Sequence, residues 1–314
     1  MNSRMIKTLS SVLAAGMLAA CLSGCAKTPA AAPTDTPEAV QTTDAPVVQA
    51  TDAPNAAGSQ QTAFVTPCID APYDHSYQDE TRQIVVRRFE AGDIIYYVAD
   101  VQLTDPSQLR TALSGDKPNG SLEPLSEIAN RCGAILAINA DDYGVHEYGT
   151  IIRNGELIRT HDTTRNMLIV DKNGDFSVRI DRKDEDPEAL GQSLVDAGTW
   201  QTFEFGPVLV QDGQAVDPSP AFDLISTNPK RREPRTAIGQ IGPLHYVLIV
   251  ADGRNTEHSK GMTLGEMQRL MLEMGAKTAM NLDGGGSSEM WFMGEIISQP
   301  SQGRERSISD ILFF

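Results

Sequence analysis

Apolar side chains recur along the chain in short runs rather than in long stripes. Residues 84–89, 94–101, 134–139, 167–171, 207–211 and 246–251 are alternating or continuous runs of this kind, the pattern of β-strands with one or both faces buried. Helical spacing is scarcer. Its clearest instance opens at Thr263, whose hydroxyl and the Glu266 carboxylate make a capping box. It places Leu264, Met267, Leu270, Met271 and Met274 on one face and stops at Gly275. A second helix is predicted within 122–132, with Pro124 in its first turn, and a short third over 192–197. Strands that outnumber helices without regular alternation predict an α+β class, a single domain with a mixed, strand-rich sheet and a few packed helices.

The first 63 residues break this pattern. Arg4 and Lys7 precede an apolar run from Leu9 to Leu22, which is too short to span a membrane and reads as an export signal. The run ends in Leu22-Ser23-Gly24-Cys25, which resembles the lipobox of bacterial lipoproteins. That resemblance implies a signal peptide over 1–24 and a lipid on Cys25, which anchors the exported chain, outward-facing, to the bacterial membrane. From 25 to 63 the sequence is rich in Ala, Thr and Pro and has no aromatic residue. Such a segment cannot bury a core and is expected to be a disordered tether. Residues 64–314 are left as the folded domain.

The 314 residues carry 42 acidic and 26 basic side chains, a formal net charge of −16, which argues against nucleic acid as a partner. Any anionic ligand must then be met by a local cluster of cations. With Cys21 in the signal and Cys25 lipidated, Cys68 and Cys132 remain. Either they form a disulfide, worth about 4 kcal/mol in the chain-entropy picture, or they are two buried thiols. No CxxC or HxxxH spacing points to structural zinc.

Three apolar runs end in polar, glycine-containing loops, where rigid strand ends hold reactive groups in place. These loops are 139–144 (Asn139, Ala140, Asp141, Asp142, Tyr143, Gly144), 252–254 (Asp252, Gly253, Arg254) and 281–288 (Asn281, Leu282, Asp283, Gly284, Gly285, Gly286, Ser287, Ser288). Three consecutive glycines weaken any regular element, so close approach of backbone is expected there, with the amides forming an anion nest. A tight hairpin joining 279–280 to 290–292 is the plain structural alternative. Arg235, entering the apolar stretch 236–238 after Lys230, Arg231 and Arg232, is the cation most suited to a fixed phosphate contact. Arg165, Gly206, His245 and Glu147 rank second, and a lone histidine such as His245 is most simply a satisfied core group.

In this order, residues 139–144, Phe205-Gly-Pro207, Arg235-Thr-Ala-Ile-Gly239, Asp252-Gly-Arg254 with Gly261-Met-Thr-Leu264, the 281–288 loop and a closing Arg306-Ser-Ile-Ser-Asp310 resemble the phosphodiester glycosidase family. The resemblance runs over about 134–310. It implies hydrolysis of the glycosidic C1–O bond of a sugar 1-phosphodiester on an envelope glycan, releasing a sugar and a phosphate monoester. It also implies Arg235 and Arg254 as phosphate ligands, assisted by the 284–286 amides, Ser287 and Ser288, and Asp283 and Asp252 as catalytic or sugar-binding carboxylates. Asp141 and Asp142 are further catalytic candidates on the facing wall, which they would form with Asn139 and Tyr143, and Asn281 would join the substrate-binding groups. This chain has Ala140 where the family usually has glycine. If that position needs positive φ, the loop is distorted, and the alternative function is a noncatalytic glycan-binding lipoprotein. The chemistry requires no cofactor, although Asp141, Asp142 and nearby carbonyls are also a candidate calcium site.

Overall fold

The protein was analysed as a computed structural model, which describes residues 64–118, 120–180, 182, 185–217 and 228–314. The predicted signal, the Cys25 lipid site and the tether fall outside the described residues. Two antiparallel sheets face each other. The larger has eight strands in the order His75–Gln78, Arg82–Ala91, Ile94–Leu103, His245–Ala251, Arg235–Gly242, Thr278–Asn281, Val208–Gln211 and Gln214–Ala215. The other has five, ordered Glu295–Ile296, Met290–Phe292, Leu136–Asn139, Asp310–Phe313 and Arg110–Leu113, and a separate three-stranded sheet, Phe176–Arg179, Met167–Val170, Gln201–Phe203, contributes to the same core.

Side-chain alternation along the strands assigns each residue to a layer. Ile238, Leu248, Val250 and Met280 of the large sheet meet Leu136, Ile138, Met290, Leu312, Leu168 and Phe203 in the central core. Their sequence neighbours Ala237, Val247, Ile249 and Ala279 point the other way, onto Leu264, Met267, Leu270 and Met271 of helix α3, Leu264–Glu273. Helix α1, Leu125–Cys132, covers the outer face of the five-stranded sheet through Leu125, Ile128 and Ala129. Helix α2, Pro187–Asp196, packs Leu190 and Leu194 on Ile152 and Met167. No described helix is long and apolar enough to cross a membrane.

The α+β, strand-rich class is what the patterning predicts, and α3 carries the predicted capping box. Four details differ. Every described strand pairing is antiparallel, so the sheet is not mixed in direction. Helix α1 begins after Pro124, because Glu123–Pro124 pairs instead with Ser307–Ile308. Helix α2 starts five residues earlier than predicted, since Asp186 caps it by accepting from the Glu188 and Ala189 amides. Cys68 and Cys132 are unbonded thiols. Cys68 packs in the α3 layer, with its sulfur 3.9 Å from that of Met274, whereas Cys132 packs in the α1 layer, so both sheets separate them.

One connection determines where chemistry is located. Thr278–Asn281 belongs to the large sheet and Met290–Phe292 to the five-stranded one, so the 282–289 segment is not a hairpin. It crosses between the sheets. The Leu282 amide donates to the Thr236 carbonyl of the large sheet, and the next amide, of Asp283, donates to the Ala140 carbonyl beyond the end of Leu136–Asn139. Asp283 therefore sits at the seam.

Candidate active site

A cavity of about 340 Å³ opens at this seam, lined by Asp142, His146, Tyr148, Arg165, Phe205, Glu233, Arg235, Arg254, Asp283, Gly284, Gly285, Gly286, Ser287, Arg306 and Ser309 among others. The crossing segment is fastened from below. Asn139 donates through Nδ2 to the Asp283 carbonyl at 2.6 Å while its Oδ1 accepts from the Thr236 hydroxyl at 2.7 Å. Asn281 Nδ2 donates to the Gly206 and Leu282 carbonyls. Asn139 and Asn281 thus position the loop and do not line the cavity.

Two of the three glycine amides are already engaged within the protein, so the run is not a full anion nest. The Gly284 amide donates to the Asp283 carboxylate at 2.7 Å, the Gly285 amide to the Pro234 carbonyl, and the Ser287 and Ser288 amides to carbonyls within the turn. What the missing side chains provide is room for guanidinium groups. A Cβ on Gly285, which has φ +63°, would lie 2.9 Å from Arg254 Nη2, and one on Gly286 would lie 3.2 Å from Arg306 Cδ. Ser287 lines the cavity and hydrogen-bonds the Asp283 carboxylate. Ser288 is buried and does not line it.

Arg235 is 2% exposed. Its described side-chain hydrogen bonds all go to backbone carbonyls, of Met262, Arg231 and Asn228. Carbonyls orient a guanidinium without neutralising it. Burial pulls its pKa down to about 10, with Glu233 opposing and the like charge of Arg254 adding to the shift, so it stays cationic at neutral pH. Arg254 enters from a turn in which Gly253 packs against Pro234 and Gly261, and Arg254 itself takes φ +60°. Its Nε donates to Glu233 at 2.6 Å. Arg306 extends alongside Gly286. The cavity therefore gathers Arg235, Arg254 and Arg306 at one end, in addition to Arg165 at the Asp142 end, in a strongly acidic protein.

The carboxylates divide sharply. Burial pushes Asp283 up to about 7, with the Asp142 charge adding, against the Ser287 hydroxyl, the Gly284 amide and Arg306. Asp142 accepts a two-pronged contact from Arg165, at 2.7 and 3.2 Å. Arg165 stacks over the Tyr148 ring at 4.2 Å and lies near Phe205. Asp252 is not on the cavity wall. Its carboxylate accepts from His258 Nε2 at 2.8 Å and from the Gln299 amide, so it serves the turn that carries Arg254. Asp141 is likewise inside the protein, paired at 3.0 Å with Arg153, which also binds Asp310 at 2.7 Å. Tyr143 packs beneath Arg153 and Arg159.

Among the described residues no group of three or more His, Cys, Asp or Glu side chains is placed to hold a metal ion, and Asp141 and Asp142 each engage an arginine instead. Ala140 is not among the residues with positive φ and lies in the central core, which removes the ground for a distorted loop. His245 meets Asp100 at 2.7 Å away from the cavity, Gly206 keeps φ +79° beneath Asn281, and Glu147 is exposed. Sequence reasoning missed His146, Tyr148 and Glu233 as cavity residues and noted Phe205 and Arg306 only as parts of motifs, Phe205-Gly-Pro207 and the closing segment. His146 and Tyr148 lie in an irregular loop with no periodicity to mark them.

A model of the phosphodiester glycosidase family matches residues 132–314. The chain is 31% identical over 196 residues to the SPbeta prophage-derived uncharacterized protein YomE of Bacillus subtilis (strain 168), covering 60% of this chain and 29% of that protein. It is 40% identical over 67 residues to the human N-acetylglucosamine-1-phosphodiester alpha-N-acetylglucosaminidase, covering 21% of this chain and 13% of the human protein. The chain thus matches less than a third of the length of these relatives. The catalytic domain of the zebrafish N-acetylglucosamine-1-phosphodiester alpha-N-acetylglucosaminidase, solved in a form auto-inhibited by its pro-peptide, shares the fold with a TM-score of 0.60 and 20% identity, over 78% of this chain and 86% of that one. By the family match over more than half its length, together with these relatives, the chain belongs to the phosphodiester glycosidase family.

Proposed function

We propose that the chain hydrolyses sugar 1-phosphodiesters at the glycosidic C1–O bond, yielding a free sugar and a phosphate monoester. The observation that carries this reading is the meeting of Arg235, Arg254 and Arg306 with Asp283 in one cavity, Arg235 being oriented by carbonyls with its charge intact. Guanidinium groups bind phosphate oxygens and stabilise the negative charge that grows on a departing phosphate. Asp283, with a pKa near 7, suits a general base. A water molecule attacks C1 as the C1–O bond breaks, its proton passes to Asp283, and the bonding pair leaves with the phosphate. The Asp142 carboxylate on the same wall stabilises positive charge developing at C1 and the ring oxygen. The His146–Tyr148 pair, stacked with centroids 5.2 Å apart, offers an apolar face to the sugar.

The curated human relative is named for N-acetylglucosamine-1-phosphodiester, which makes that sugar the first to try. The test is a panel of hexose and N-acetylhexosamine 1-(methyl phosphates) incubated with the full chain. Release of reducing sugar is expected from at least one member, and Asp283→Asn is expected to lower turnover about a thousandfold, within the range for general-base catalysis. No release across the panel contradicts the reading.

The cellular setting in this proposal is the cell envelope, with a lipid on Cys25 as the anchor and a phosphodiester-linked glycan as the substrate. Cys25→Ala is expected to move the protein from the membrane to the soluble fraction, and unchanged membrane association counts against the anchor.

A further inference from the structure

A second cavity, of about 280 Å³, is lined by Tyr148, Asp162, Thr163, Thr164 and Arg165. Two of these, Tyr148 and Arg165, also line the first cavity, and they touch each other through the stacked guanidinium and ring. The shared wall lies at the Asp142–Tyr148 end of the site. None of Arg235, Arg254, Arg306 or the glycine loop reaches the second cavity. Its other residues are polar and bear hydroxyls, and its single acid, Asp162, makes no ion pair among the described residues. An unpaired carboxylate beside two threonine hydroxyls repels phosphate, offers little to a lipid tail, and accepts hydrogen bonds from sugar hydroxyls.

Resting on the phosphodiester glycosidase reading above, we infer that this second cavity is a subsite for a further uncharged sugar, joined through a non-anomeric hydroxyl to the sugar whose C1–O bond is cleaved. With the phosphate held at the arginine end, the glycan grows away from it, past Tyr148 and Arg165, towards Asp162. The preferred substrate is then an oligosaccharyl phosphodiester, as in a polymer of sugar units joined by phosphate, rather than a single capping sugar. The Arg165 guanidinium, flat against Tyr148 and gripped by Asp142, is the fixed partition between the two sugar positions.

The test compares the best monosaccharyl 1-(methyl phosphate) with the same compound extended by one hexose, using the full chain. Two readouts are taken, kcat/KM for each phosphodiester and Kd for the phosphate-free mono- and disaccharides. The extended ligand is expected to be favoured about tenfold in both, the size of one or two added hydrogen bonds. Asp162→Ala and Thr164→Val, both at exposed positions, are expected to bring both ratios to about one. Equal Kd values for the two sugars, or a preference that survives both substitutions, overturns the subsite. Absence of turnover with every phosphodiester overturns the hydrolase reading instead, and the Kd ratio then still decides the subsite.

Discussion

Asp283 and Arg235 show how a residue's surroundings can matter more than its identity. Four acids in the predicted loops look equivalent on paper, yet Asp141 is neutralised by Arg153 and Asp252 is tied to His258, both off the cavity wall, while Asp142 lines the cavity gripped by Arg165 and Asp283 lines it with a pKa near 7. Since the base form of Asp283 accepts the proton from water, kcat/KM is expected to rise with pH through an apparent pKa near 7. A profile flat from about pH 5.5 to 8.5 removes it as the base. Gly285→Ala tests the role assigned to the glycines. The methyl group would meet Arg254 at a backbone with φ +63°, costing about 1–2 kcal/mol in strain and displacing the cation. A loss of at least tenfold in kcat/KM is expected alongside a modest fall in thermal midpoint. An unaffected KM and kcat would mean that Arg254 does not need that space. The glycine run was legible as a place of close approach. What approaches was not, because Arg254 and Arg306 come from segments far away in the chain.

At the scale of elements, the sequence is most legible where a local pattern and its burial agree. The central strands follow from their apolar runs, and α3 follows from a capping box and a Met-Leu stripe that the core then uses. Thr263→Ala removes the hydroxyl that accepts from the Glu266 amide and is expected to cost about 1 kcal/mol, read as a lower denaturant midpoint at unchanged slope. No change would show that packing alone holds the helix start. Legibility fails where partners are remote. Residues 123–124 read as a helix start and instead pair with Ser307–Ile308. The 282–289 segment is flanked by two apolar runs, as a hairpin would be, but those runs belong to different sheets. Local spacing carries no record of which sheet a strand joins, and the cavity exists because these two are not neighbours.

At the scale of the whole molecule, buried charge is concentrated behind the cavity. Arg153 lies between Asp141 and Asp310 with all three side chains at most 2% exposed. Burial pushes both acids upward and Arg153 pulls them back. Arg153→Met leaves two buried acids without a counter-charge and is expected to destabilise by about 3–5 kcal/mol, measured by denaturant unfolding. A loss under about 1 kcal/mol would show the triad to be dispensable. Glu289, buried with its pKa pushed up to about 8 by desolvation, binds more protons folded than unfolded between its usual range and pH 8. Its contribution is therefore fully present in acid and lost as pH rises through about 8. The thermal midpoint of Glu289→Gln is expected to gain on that of the parent as pH rises from about 5 to 8.5. A constant difference contradicts this account of Glu289. The proposed roles of Asp283 and Asp142 require water to attack C1 rather than phosphorus. Hydrolysis of a sugar 1-phosphodiester in heavy-oxygen water, read by mass spectrometry, is expected to place the label in the released sugar and leave the phosphate monoester unlabelled. Label in the phosphate monoester would mean attack at phosphorus, and the assignment of Asp283 and Asp142 to chemistry at C1 would be wrong.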